Sequence, residues 1–239
     1  MRKLSVFILL AICSHFSSAV VIRHDQSPDN YLVPQAPDYM IDMPHEGHGV
    51  LIAPKWLLTV AHVIFYDYRG KNLRIGENEY AIESVIIHPG YRKLTKEVLD
   101  KGTDATMAFQ YANRDIALVK LVTPVSDVKP IALYAKSDEL GKTITGFGRG
   151  ATGNGKTGAV HETKKQKVLR KFSNRIDEVT NYWLSLTFDQ GENALALEGI
   201  DGSGDSGGPL VLTQDGQDFL LGMFAWDHVE GSLVDFIPG

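Results

Sequence analysis

Pro209-Leu210-Val211-Leu212-Thr213, then Gln214-Asp215-Gly216, then Phe219-Leu220-Leu221-Gly222-Met223-Phe224-Ala225-Trp226: two short apolar runs are parted by turn-forming residues. The arrangement recurs outward along the chain in Val50 to Ile52, Trp56 to Val60, Tyr80 to Ile87, Ile116 to Val122, Lys142 to Phe147 and Tyr182 to Phe188. Many of these runs are rich in Val, Ile, Thr and aromatics. Breakers such as Ala53-Pro54 and His88-Pro89-Gly90 separate them, which predicts an all-β sandwich or barrel. Helical periodicity is scarce. The charged stretch Thr163 to Val179 has room for a helical turn or two, with Lys164, Lys165, Lys167, Arg170 and Lys171 as a solvated face. Two prolines between Val122 and Pro130 mark a link between two β domains, 20–125 and 126–239, each about a hundred residues and large enough for its own core.

The 239 residues are 44% hydrophobic and 22% charged, which excludes a disordered or collagen-like chain. A formal net charge of -5 without any basic tract argues against nucleic acid as a partner. Arg2 and Lys3 precede the apolar run Leu4 to Ile12, and the small residues Ser17, Ser18 and Ala19 follow. That layout is a signal peptide over residues 1–19 with cleavage after Ala19, and it predicts a secreted or periplasmic product with no membrane segment. Its removal takes the charge from -5 to -7 and discards Cys13, the one cysteine, so the exported chain relies on its core rather than on disulfides. Acylation of Cys13 is the alternative reading, disfavoured by the bulk of Ile12.

Three segments carry the residues that nucleophilic acyl transfer needs: Leu58-Thr59-Val60-Ala61-His62, Asn113-Arg114-Asp115-Ile116-Ala117-Leu118 and Gly204-Asp205-Ser206-Gly207-Gly208-Pro209. A serine hydroxyl is a poor nucleophile at neutral pH; an imidazole must take its proton, and an acid must fix that imidazole's tautomer. Glycines around Ser206 allow the backbone to bend tightly and aim two N–H groups at one spot, where a developing oxyanion is stabilised.

These blocks, in the order His, Asp, Ser and spaced by 53 and then 91 residues, resemble the trypsin/chymotrypsin-like serine protease family. Gly146-Phe147-Gly148 resembles the family's Gly-Trp-Gly, and Gly222 to Trp226 resembles the strand that walls its specificity pocket. The resemblance implies two packed antiparallel β-barrels with the active site between them, and an exported bacterial-type member without disulfides. It implies Ser206 as nucleophile, His62 as general base and then acid, Asp115 as the orienting carboxylate, and the N–H groups of Gly204 and Ser206 as oxyanion hole. Asp205 takes the place of the acid that pairs with a processed N-terminus, here the amine at Val20. Ile200, Asp201, Ala225, Trp226 and Asp227 fall in the specificity pocket. Ile200 stands where trypsin has its pocket-floor aspartate, and Ala225 where a serine commonly bonds the orienting acid. Expected partners are a peptide or protein substrate and a protein inhibitor, with no metal or organic cofactor.

Rival readings rest on single motifs. Gly150 to Thr157 matches the phosphate-cradling pattern G-x-x-x-x-G-K-[ST]; the residues beyond Thr157 do not read as an apolar helix, and the resemblance places a variable surface loop there. His45-Glu46-Gly47-His48 lacks the i, i+4 spacing of a helical metal pair, and Asp201 to Asp205 opens like a calcium loop but has Leu212 at the closing position. His88, His161 and His228 receive no function. The alternative from another class is an inactive protease homologue that binds peptides or proteins.

Overall fold

The computed structural model describes residues 20–160 and 168–227. The strands of the first half are β1 (Val20–Ile22), β2 (Met40–Asp42), β3 (His48–Ala53), β4 (Trp56–Thr59), β5 (Asn72–Ile75), β6 (Asn78–Ile87) and β7 (Ala117–Leu121). The helices α1 (Lys96–Leu99) and α2 (Thr103–Ala112) lie between the last two. The second half adds β8 (Ala132–Leu133), β9 (Thr143–Gly148), β10 (Thr152–Asn154), β11 (Gly158–Val160), β12 (Arg170–Val179), β13 (Leu184–Leu186), β14 (Gly199–Ile200), β15 (Pro209–Gln214) and β16 (Gln217–Met223). The protein is nearly all-β, as expected, with barrel-like sheets.

One six-stranded sheet runs β2-β3-β4-β7-β6-β5 and a second runs β13-β12-β9-β15-β16-β8. Each packs on its own core. Leu51, Leu57, Tyr68, Ile75, Val119 and Leu121 centre the first, and Ile144, Phe172, Ile176, Leu210 and Phe224 the second. Val50, Ile131, Val211 and Leu220 form a third cluster that joins the two sheets. Each such side chain, fully buried, contributes about 1.5–3 kcal/mol of hydrophobic stabilisation. A third sheet, β11-β10-β1-β14, takes β1 across to the second half, where it runs parallel to β10 and antiparallel to β14.

Of the charged stretch Thr163 to Val179, where the sequence leaves room for a helical turn or two, Arg170–Val179 is the long strand β12, antiparallel to β9, with Arg170 buried rather than on a solvated face, and residues 163–167 lie outside the described ones. Arg170, Phe172, Asn174 and Ile176 face inward in a strict alternation. Two of those four inward residues are polar, which hides the two-residue period. Asn174 is satisfied there because its amide donates to the carbonyls of Thr187 and Gly199, both at 2.9 Å. The link from Val122 to Pro130 is laced onto the first half by Val122 N–H to Ala81 O and Val125 N–H to Pro54 O.

Candidate active site

Strand pairing brings His62 and Asp115 together. β4 and β7 are antiparallel, with Thr59 opposite Ala117, so the residues just after β4 must lie beside those just before β7. His62 sits in the single 3-10 turn Ala61–Val63 that follows. Asp115 then grips it at two points: Oδ1 accepts from the His62 backbone N–H at 2.9 Å and Oδ2 meets Nδ1 at 2.6 Å. A carboxylate so placed keeps the proton on Nδ1 and leaves Nε2 as an acceptor. The approach to Asp115 is stapled by buried Asn113, which accepts from Arg92 N–H at 2.7 Å and donates to Arg92 O at 2.9 Å. Sequence reasoning gave Asn113 no role; the one signal available was an amide beside the acid.

Ser206 is held through its backbone. Its carbonyl accepts from His48 N–H at 2.7 Å, and the His48 carbonyl in turn accepts from Thr59 Oγ1 at 2.6 Å, so β3 and β4 of the first half grip the serine loop of the second. Gly207 makes the approach possible. Its φ is +78°, and a Cβ there would lie 2.0 Å from His48 O. Within the turn, Asp205 N–H donates to Gly202 O, Gly207 N–H to Phe224 O and Gly208 N–H to Asp205 O. Among the described residues the N–H groups of Gly204 and Ser206 have no backbone acceptor. Two unspent donors two residues apart on a glycine-rich turn suit a developing oxyanion.

Asp205 is fully buried. Its Oδ1 accepts from the backbone N–H groups of Arg149 and Gly150, both at 2.6 Å, and its Oδ2 from Gly202 N–H at 3.0 Å. Gly148 leaves room for the carboxylate, since a Cβ there would come within 2.4 Å of it. His48 bridges outward from this acid: Nε2 lies 3.9 Å from Asp205 Oδ1 and Nδ1 lies 3.2 Å from Asp42 Oδ1, while Asp42 pairs with the Arg149 guanidinium at 2.8 Å. Burial pulls the His48 imidazole downward, but Asp205 and Asp42 together outweigh it and its pKa ends above the ordinary value of 6.5. Neither His48 nor Asp42 was singled out for this role from the sequence. Val20, the expected partner of Asp205, is not on the carboxylate: its N–H donates to Ala151 O at 3.0 Å, and its φ of +75° is strained for a β-branched residue.

The expected pocket residues divide. Ile200 pairs in register with Val21. Asp201 and Asp227 interact with each other. Desolvation, followed by the charges of Asp227 and Asp205, pushes the Asp201 carboxyl well up, and desolvation raises that of Asp227. Ala225 packs against the first core. Trp226 meets Tyr111 and Trp183 edge to face, with centroids at 5.2 and 5.6 Å, and Trp183 Nε1–H donates to Tyr111 O at 3.0 Å, so the end of α2 covers this wall.

The phosphate-like pattern turns out to be the β10–β11 hairpin, with its N–H groups already spent. Gly150 N–H goes to Asp205, Ala151 N–H to Ser203 O, Gly155 N–H to Ile22 O, and those of Lys156 and Thr157 to Asn154 Oδ1. His88 accepts Gly90 N–H through Nδ1, and His161 and His228 lie outside the described residues.

A family model described as Trypsin matches residues 33–234. The chain belongs to the trypsin family. A trypsin of Phaedon cochleariae is 29% identical over 215 residues, spanning 80% of this chain and 73% of that protein. Granzyme M of Rattus norvegicus is 29% identical over 214 residues, 79% of this chain and 74% of that one. The solved structure of neuropsin, a serine protease expressed in the limbic system of mouse brain, aligns with a TM-score of 0.57 at 21% identity, covering 81% of this chain and 84% of that one, a likeness of fold. These animal relatives give the bacterial-type expectation no support. As a trypsin-family chain the protein is a serine endopeptidase, a hydrolase whose substrates are peptides or proteins. No helix among its described residues is long and apolar enough to cross a membrane.

Proposed function

We propose that this trypsin-family chain is an exported endopeptidase that cuts through an acyl-enzyme on Ser206, with His62 as general base and then acid and Asp115 as its orienting carboxylate. The observation that carries the reading is the two-point hold of Asp115 on His62, at 2.9 and 2.6 Å. With Nδ1 so occupied, Nε2 takes the Ser206 proton as Oγ attacks the peptide carbonyl. The tetrahedral oxyanion is met by the N–H groups of Gly204 and Ser206; one such donor stabilises it by about 3 kcal/mol. His62 then hands the proton to the departing amine, the C–N bond breaks, and water, deprotonated by His62, releases the acyl group.

The same reading assigns residues 1–19 to a leader and its removal to the act that frees the amine of Val20. That nitrogen lies one hydrogen bond from Ala151, next in the chain to Gly150, which holds Asp205. The two halves, 20–125 and 126–239, meet at the site, and Ile200, Asp201, Trp226 and Asp227 line the pocket for the side chain before the scissile bond. A protein inhibitor would occupy the same cleft. The exported chain carries no disulfide, because Cys13 leaves with the leader.

Labelling with a sulfonyl fluoride tests the assignment. Stoichiometric modification of Ser206 in the processed protein, lost in His62→Ala, is the expected result. A folded protein that stays unlabelled and binds peptides without cutting them would overturn the catalytic reading in favour of a binding homologue.

A further inference from the structure

The segment that carries Asp115 is held from both halves of the molecule. On its own side Asn113 is clamped by Arg92, and Ile116 is tied twice, its N–H donating to Arg114 O at 2.9 Å and its carbonyl accepting from His88 N–H at 3.0 Å. From the second half, residues 180–183 reach it as the turn between β12 and β13. The guanidinium carbon of Arg114 lies 3.4 Å from the centre of the Tyr182 ring, over its face, and Trp183 Nε1–H donates to Tyr111 O at 3.0 Å. Both partners of the stack are set before they meet. The turn is closed by Thr180, whose N–H donates to Trp183 O at 2.9 Å and whose Oγ1 accepts from Trp183 N–H at 3.0 Å. The guanidinium is aimed by Nη1, which donates to Ala112 O at 3.1 Å and Asn113 O at 2.9 Å at the end of α2. Gly90 leaves space for the stem, since a Cβ there would come within 2.9 Å of Arg114 Cγ. Tyr182 is 61% exposed, so core packing does not account for its place. What the ring covers is one face of a planar cation, a contact that suits a guanidinium better than an ammonium.

Arg114 is the residue next to Asp115, and Asp115 grips His62 in the same half, whereas Ser206 belongs to the other half. Proton transfer from the serine to the imidazole therefore crosses a seam, and its geometry depends on how the two sides are registered there. We propose that Arg114 and Tyr182 are positioning residues for the reaction: their stack clasps the Asp115 segment to the serine-bearing half beside the seam. Neither side chain needs to touch the substrate. The proposal deepens the endopeptidase reading and rests on it. Its size is bounded, because a contact can shift the balance between a held and a released segment by no more than its own free energy. For one stack at a partly exposed site that amounts to about three- to tenfold in rate.

Steady-state kinetics of the processed protein on a peptide substrate provide the first test. Tyr182→Ala is expected to lower kcat about three- to tenfold with KM within about twofold, and Tyr182→Phe, which keeps the ring face, to retain the parental kcat. Adding Tyr182→Ala to Arg114→Ala should cost nothing more, since the stack is already gone. An unchanged kcat in Tyr182→Ala, a loss that Tyr182→Phe shares, or losses that multiply in the double variant overturn the proposal. A second readout needs no turnover: the Nδ1 proton of His62, held against Asp115 Oδ2 at 2.6 Å, is followed by proton NMR as a far-downfield resonance shielded from exchange with water. Faster exchange in Tyr182→Ala, restored in Tyr182→Phe, supports the clasp even if no substrate is cut. Identical exchange in the parent protein and Tyr182→Ala overturns it while leaving the catalytic reading intact. A parent protein without that resonance overturns the pairing of His62 with Asp115, and the clasp with it.

Discussion

Asp115 shows at the residue scale how geometry and charge divide the work at this site. Replacing it with Asn keeps the shape, but the amide presents one acceptor and one donor to a backbone N–H and a ring nitrogen that both ask for acceptors. The imidazole is then held in the wrong tautomer. Asp115→Asn is expected to lower kcat by about 10³- to 10⁴-fold with KM and melting temperature little changed, measured on a peptide substrate and by thermal unfolding. Gly148→Ala should act otherwise, since its Cβ would come 2.4 Å from the Asp205 carboxylate and the strand cannot retreat without releasing the Arg149 and Gly150 N–H groups. Loss of about 1–3 kcal/mol of stability together with most of the activity is expected from urea unfolding and assay. The pairing of His62 with Asp115 was legible in the sequence because the chemistry admits few residue types and each sits in a telling block. Asn113, His48 and Asp42 were not, because an amide, an imidazole and a carboxylate on their own say nothing of the carbonyl or acid that register will place beside them.

Elements were readable to the extent that burial imposes a pattern. Short apolar runs such as Val50 to Ile52 and Tyr80 to Ile87 announced β3, packed on both faces, and β6, packed on one. α2 left no such trace, since none of its ten residues is buried and no apolar stripe exists to be seen. The β10–β11 hairpin misleads for a different reason: its glycines serve a buried carboxylate and close strand pairing, yet spell a phosphate motif. Gly153 is an example, because a Cβ there would fall 1.8 Å from Gly158 O across the hairpin. The turn is organised by Asn154, whose Oδ1 takes the N–H groups of Lys156 and Thr157. Asn154→Ala should therefore cost about 1 kcal/mol in denaturant unfolding. Lys156→Ala should stay within about 0.5 kcal/mol and leave hydrolysis unchanged, the opposite of what a phosphate-binding lysine would show.

At the scale of the whole molecule the two sheets are joined by more than the Val50, Ile131, Val211 and Leu220 cluster. His48 opens β3 in the first half, its backbone holds Ser206 in the second, and its ring lies between Asp42 and Asp205. The ring thus lies between one carboxylate from each half, and its titration gives the fold a pH dependence with a definite sign. Folded His48 binds its proton more tightly than the ordinary value of 6.5, because the flanking carboxylates outweigh its burial. The stabilisation is then complete below pH 6.5, where folded and unfolded chains both carry the proton, and it fades as pH rises through the elevated folded value. His48→Gln retains the backbone contact to Ser206 and removes the charge. The gap in unfolding free energy between the parent protein and this variant should be wide at about pH 5 and narrower at about pH 8.5. A gap of equal width at both values would mean that the ring acts through its shape alone. A gap that closes only toward high pH would show that one titrating side chain helps to hold the serine-bearing half against the histidine-bearing half.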